Sequence, residues 1–157
     1  MKKAGLGSVT TGTLKIEDLL SAFLSELEWH VNRNGDFLSR PENFSVRDYF
    51  AALIGEAQDC FADGGETIAE DKEGKAEEVC QDLVEALGEF APSYCYFGAL
   101  TGDGADFGFF PDWTLIDELP TVDNGEEASK EGDDCKTVND HGNVTVWSGG
   151  KATLELV

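Results

Sequence analysis

The stretch Tyr94-Cys95-Tyr96-Phe97-Gly98-Ala99-Leu100-Thr101-Gly102-Asp103-Gly104-Ala105-Asp106-Phe107-Gly108-Phe109-Phe110-Pro111 sets the tightest limit on how this chain can fold. One aromatic run enters a glycine and aspartate turn, and a second leaves it and stops at a proline. That pattern predicts a β-hairpin with one apolar face. In the first arm Cys95, Phe97 and Ala99 share one face and Tyr94, Tyr96 and Gly98 the other, because side chains alternate along a strand. An apolar sheet face has to be covered, and the helical periodicity upstream supplies a cover.

The first helix is expected from Ile16, with Leu19, Leu20, Phe23, Leu24, Leu27 and Val31 recurring at three and four. Glu17 and Asp18 complement the dipole at its start, and Asn34-Gly35 closes it. A connector over 36–44 contains Pro41. Ser45, with Asp48 as capping partner, opens a second helix whose apolar positions are Val46, Tyr49, Phe50, Leu53, Ile54, Ala57 and Phe61. Its small face of Ala51, Ala52 and Gly55 invites a close neighbour, which makes it the candidate central helix. It is expected to stop at Asp63-Gly64-Gly65. The third helix covers 75–90 through Ala76, Val79, Cys80, Leu83, Val84, Leu87 and Phe90. An extension back to Glu66 would place Gly74 inside it at about 1 kcal/mol.

After the hairpin, Asp112 is placed to cap a short helix over 113–119 that Pro120 closes. Residues 121–136 have almost no apolar content and read as an acidic loop, while residues 1–12, rich in Gly, Ser and Thr, read as loose. Strands are expected at 136–138, 144–147 and 151–157, with turns at 139–143 and 148–150. The 157 residues are read as a single α+β domain. About three N-terminal helices pack on one face of an antiparallel sheet of about five strands.

Charge is the outlying property. Thirty-two Asp and Glu face 11 Lys and Arg, for a net charge of −21. By segment the net charge is −4 over 1–65, −7 over 66–91 and −10 over 92–157. Such a field repels nucleic acid and anionic membranes and attracts basic surfaces. Like charges four apart on a helix cost a few tenths of a kcal/mol each, and solubility alone needs far less charge. Glu78, Asp82, Glu85 and Glu89 step four, three and four, so they line one helical stripe. At a rise of about 1.5 Å per residue they are spaced about 5.5 Å apart, sparser than the roughly 3.4 Å between charges of one DNA strand. That stripe together with the 121–134 loop (Asp123, Glu126, Glu127, Asp133, Asp134) approaches the density of a nucleic-acid backbone.

Other chemistry is thinly represented. Cys60, Cys80, Cys95 and Cys135 contain no C-x-x-C pair and read as small buried thiols, except Cys135 in its loop. A reducing, cytoplasmic setting fits. The N-terminus has a basic start but no apolar segment of the kind a signal peptide requires. Asp103 and Asp106 supply too few oxygens for calcium, and no metal or cofactor is expected. His30 reads as a boundary residue. His141 lies in a turn, where Asp140 and Asn143 suit the backbone. An alternative pocket would bring Asp103, Asp106 and His141 together, as the site of a small enzyme or ligand-binding domain.

At Tyr96-Phe97-Gly98-Ala99, Gly102-Asp103-Gly104-Ala105-Asp106-Phe107-Gly108-Phe109 and Asn139-Asp140-His141-Gly142-Asn143-Val144 the chain resembles a family of small proteins of phages and other mobile elements to which no activity is attached. It departs from that family's pattern at Leu100, where a histidine is frequent, and at Phe110, where a tryptophan is. The match spans about 94–157. The resemblance implies a phage or mobile-element origin, a setting in which small, very acidic proteins commonly act as counter-defence inhibitors. The expected function is therefore a non-enzymatic inhibitor of the anti-CRISPR or anti-restriction type. It would mimic DNA with carboxylates and bind the basic nucleic-acid-binding surface of a host protein complex in the cytoplasm, without binding nucleic acid or membrane itself. A virion or scaffolding component, marked by a stoichiometric homo-oligomer such as a dimer, is the third reading.

Overall fold

In a computed structural model, residues 1–62, 65–130 and 132–157 are described. The chain forms two compact units, one of Met1–Ala91 with Tyr96–Phe110 and the other of Pro92–Cys95 with Pro111–Val157. The architecture is α+β with antiparallel sheets, but the expected five-stranded sheet is replaced by two three-stranded ones.

In the first unit α1 (Ile16–Arg33) packs against α2 (Gly35–Leu38), α3 (Phe44–Asp59), α4 (Glu73–Gly88) and β1 (Gly7–Thr11), and so holds the central place expected of the second helix. Its buried stripe is Leu19, Leu20, Phe23, Leu24, Leu27 and His30. Helix α1 closes at Asn34 as expected, the chain then turns directly into α2, and a 3-10 turn at Pro41–Asn43 lies in the rest of the connector. Helix α3 buries Phe50, Leu53 and Ala57 only. Ala51 and Ala52 face solvent, and a Cβ at Gly55 would meet nothing within 4 Å, so among the described residues no element packs on the small face. Ser45 makes no cap, and Asp48 bonds Arg47 instead. Helix α3 ends at Asp59; Asp63 and Gly64 of the expected stop lie outside the described residues.

The sheet of this unit runs β1-β3-β2, with β2 at Cys95–Leu100 and β3 at Asp103–Pro111. The hairpin is as expected, turning at Thr101-Gly102, where Gly102 has φ 94°. The correction is at the N-terminus: residues 1–12, expected to be loose, contain β1, which pairs antiparallel with β3 from Gly7↔Phe109 to Thr11↔Asp106. Because β1 occupies that edge of β3, the terminal strands cannot extend the sheet there. The core is aromatic. Phe23 meets Phe97 edge-on at 5.2 Å, Phe97 meets Phe109 at 4.8 Å, and Phe50 meets Phe90 at 5.3 Å. Each such buried ring contributes roughly 1.5–3 kcal/mol. His30, expected at the boundary, is fully buried among them, stacked 4.6 Å from Phe90.

The second unit is a meander of β4 (Cys135–Val138), β5 (Val144–Ser148) and β6 (Lys151–Leu156) over a core of Ile116, Val146 and Leu154. Asp112 caps α5 (Trp113–Glu118) as expected, accepting from the Thr114 and Leu115 amides. The 121–136 segment is not all loop: Asn124 caps α6 (Gly125–Ala128), and Ala128 is fully buried. Glu131 of that segment lies outside the described residues. Cys135 is buried at the start of β4 rather than held in a mobile loop.

Candidate functional site

Helix α4 owes its orientation to Ala76, Val79, Cys80, Leu83, Ala86 and Leu87, which are buried. Gly74, costly in mid-helix, falls in the first turn, where the helix begins at Glu73 after a 3-10 turn at Glu70–Lys72. With that face turned inward, 3.6 residues per turn confines Glu78, Asp82, Glu85 and Glu89 to an arc of about 60° on the solvent side. All four are exposed.

This stripe borders α3. Lys75 of α4 bridges to Glu56 of α3 at 2.7 Å, and its ammonium is held above its ordinary pKa by that hydrogen bond and by the charges of Glu56, Glu78 and Asp82. The Tyr49 hydroxyl is likewise pushed up, first by desolvation and then by Asp82, Glu85 and Glu89. Glu89 lines a groove with Tyr49, and the charges of Asp82 and Glu85 act on the same hydroxyl. Tyr49 is 47% exposed and Val46 39%, although both have the spacing of core positions. They line a groove of about 340 Å³ with Ser45, Phe50 and Glu89. The face is an acidic margin beside an apolar step.

The other predicted carboxylates are in the second unit and are more committed to its own structure. Glu127 accepts from the Asp123 amide at 3.2 Å, and Glu126 pairs with Lys130 at 3.1 Å. Asp134 accepts from the Tyr94 hydroxyl, which lowers the Asp134 pKa and pushes Tyr94 up to about 12. Tyr94 itself sits at φ 63°, a conformation rare outside glycine. Asp133 and Asp123 are exposed.

The alternative pocket residues are divided between the units: Asp103 and Asp106 belong to the first and His141 to the second. Asp103 accepts from the Ala105 amide at 3.1 Å in its own turn. Asp106 lies on β3 opposite Thr11, with a buried Oδ1 that has no hydrogen-bond partner among the described residues. His141 is exposed, in a turn built by Asn139, whose Oδ1 accepts from the His141 and Asn143 amides at 2.9 and 3.0 Å. The expected organisers of that turn were Asp140 and Asn143. Among the described residues no cluster of three or more His, Cys, Asp or Glu is placed to hold a metal, and no helix is long and apolar enough to cross a membrane.

Sequence reading missed a second feature. Every arginine of the chain lies over an aromatic ring three or four residues before it: Arg33 over Trp29 at 5.0 Å, Arg40 over Phe37 at 5.7 Å and Arg47 over Phe44 at 4.4 Å. The spacing was visible in the sequence, and the expected first helix already puts Trp29 and Arg33 on one face, but no helix was expected at Phe37 and Arg40 or at Phe44. Comparison with known protein families, with curated proteins and with solved structures finds no match to this chain.

Proposed function

We propose that the chain is a non-enzymatic protein-binding inhibitor. It docks the exposed α3–α4 face on a basic, nucleic-acid-binding surface of a host defence or nucleic-acid-processing complex, in the manner of anti-CRISPR and anti-restriction proteins. The observation that carries this reading is the row Glu78, Asp82, Glu85 and Glu89 running beside exposed Tyr49 and Val46.

The division of labour follows from magnitudes. Exposed ion pairs contribute about 0.2–1 kcal/mol each and are screened by salt. The carboxylates therefore supply fast, oriented association more than affinity. An aromatic anchor entering a pocket supplies affinity, and Tyr49 is the residue of that kind on this face. DNA mimicry by charge alone would need no such anchor, so the partner is expected to pair cations with an apolar recess.

The test is capture of partners from host lysate by the wild-type protein and by Glu78→Lys/Asp82→Lys/Glu85→Lys, with helicity checked by circular dichroism. A basic nucleic-acid-binding protein should be retained at ~50 mM salt, released as the Debye length shortens, and lost in the triple variant. Tyr49→Ala should shorten the lifetime of the complex more than it slows association. Undiminished capture by a folded triple variant, or no such protein at low salt, would refute the reading.

A further inference from the structure

A chain this acidic nevertheless assembles a cationic groove. The N-terminal segment lies along the end of α1, clamped by buried Asn34. The Asn34 Oδ1 accepts from the Lys2 amide at 2.6 Å, while its Nδ2 donates to the carbonyls of Lys2 at 3.3 Å and His30 at 2.9 Å. The Arg33 guanidinium donates to the Lys3 carbonyl at 3.3 Å, and the Lys3 ammonium to the Glu89 carbonyl at 2.8 Å. The result is a groove of about 360 Å³ lined by Lys2, Arg33, Asp36, Phe37 and Arg40.

Two features bear on its chemistry. Lys2, Arg33 and Arg40 have no carboxylate partner among the described residues, nor do Lys3, Lys15, Lys72 and Lys151, but here three such cations line one groove. Arg33 and Arg40 also lie over Trp29 and Phe37, their guanidinium carbons 5.0 and 5.7 Å from the ring centroids. Arg33 in the last turn of α1 also complements the helix dipole, but Lys2 and Arg40 are on other segments and have no such role. Asp36 is the one carboxylate lining the groove, against three cations.

We propose that this groove binds a small phosphoryl-bearing anion, up to the size of a nucleoside monophosphate. Guanidinium forks match phosphoryl oxygens in pairs, and charge-assisted bonds of this kind are about twice as strong as neutral ones. The volume is at the lower end of small-molecule sites. Shared chemistry leaves two sources, the free ion and a phosphate ester, and the measurement separates them. The inference is independent of the acidic α3–α4 face.

The test titrates the full chain with inorganic phosphate and with adenosine monophosphate, following amide shifts by nuclear magnetic resonance, with sodium chloride of equal ionic strength as control. Saturable shifts at Lys2, Asn34 and Arg40 are expected with both. Equal affinities identify the free ion as ligand, and tighter binding of the nucleotide identifies the ester; either supports the site. Arg40→Ala should weaken binding at least about tenfold, and Arg40→Lys should recover only part, having the charge without the fork. Because Arg33 also holds the Lys3 carbonyl, Arg40→Ala and Lys2→Ala provide variants whose side chains carry no backbone. No saturation by ~10 mM anion, the same shifts with chloride, or unchanged affinity in those folded variants would overturn the proposal.

Discussion

Burying His30 should make this protein lose stability in a definable window of mild acid. The imidazole is fully buried between Phe90, Trp29 and Phe109, with ring centroids at 4.6, 4.7 and 5.5 Å. Burial first, and the Arg33 charge second, lower its pKa from 6.5 to about 4. The folded pKa is the lower of the two. Above pH 6.5 both states are neutral and the group costs nothing. As pH falls from 6.5 to about 4 the unfolded chain takes a proton that the folded chain refuses, and stability is lost. The shift corresponds to about 3 kcal/mol at 1.36 kcal/mol per unit. Glu26, whose Oε1 lies 3.1 Å from the His30 Nε2, has a pKa raised by desolvation and works the other way, its burial cost easing as it protonates. The measurement is therefore a difference: urea unfolding of wild type and of His30→Leu from about pH 7 to about pH 4, with Glu26→Gln in both backgrounds, so that the more distant carboxylates largely cancel. Relative to the variant, wild type should lose about 3 kcal/mol across the window, with a slope approaching one proton. A gap between the two curves that does not change with pH would show that this imidazole titrates normally, and would refute the reasoning.

Two further outcomes test the fold. A Cβ at Gly108 would collide with the Gly7 carbonyl oxygen and lie 2.7 Å from the Ser8 Cα, both backbone atoms with no rotamer to yield. Gly108→Ala should therefore cost more than ~2 kcal/mol, detach β1, and expose the amides of 8–11 to hydrogen exchange while the helices keep their protection. In a spectrophotometric titration one tyrosine should ionise at about 12, and Asp134→Asn should bring it down, since the carboxylate is the first cause of the shift at Tyr94. A Tyr94 titration indifferent to that substitution would contradict the hydrogen bond.

Much of the local structure was written in short-range pattern. The stripe at 19, 20, 23, 24 and 27 marks α1, Asp112 marks the start of α5, and the aromatic runs around Gly102 mark the β2–β3 hairpin. In each case the deciding residues lie within a few positions of one another. The acidic stripe was legible for the same reason, because helical geometry fixes the faces of residues four apart. That Tyr49 stands beside the stripe rather than in the core was not legible, since its spacing is that of a buried position and only the placing of α4 leaves it half uncovered.

What the sequence determined by itself, then, is the longer helices, the hairpin and the sign of the surface, because propensity, periodicity and charge act over a few residues or over the whole chain. The tertiary structure alone decided which elements share a sheet. Gly7–Thr11 has too little apolar content to announce a strand, and becomes one because Gly108, about a hundred residues later, lets its backbone come close to β3. Burial of a polar ring at His30 and the gathering of Lys2, Arg33 and Arg40 likewise depend on which segments meet. Pairings of that range are settled by packing and backbone hydrogen bonding between distant partners, which no local pattern encodes.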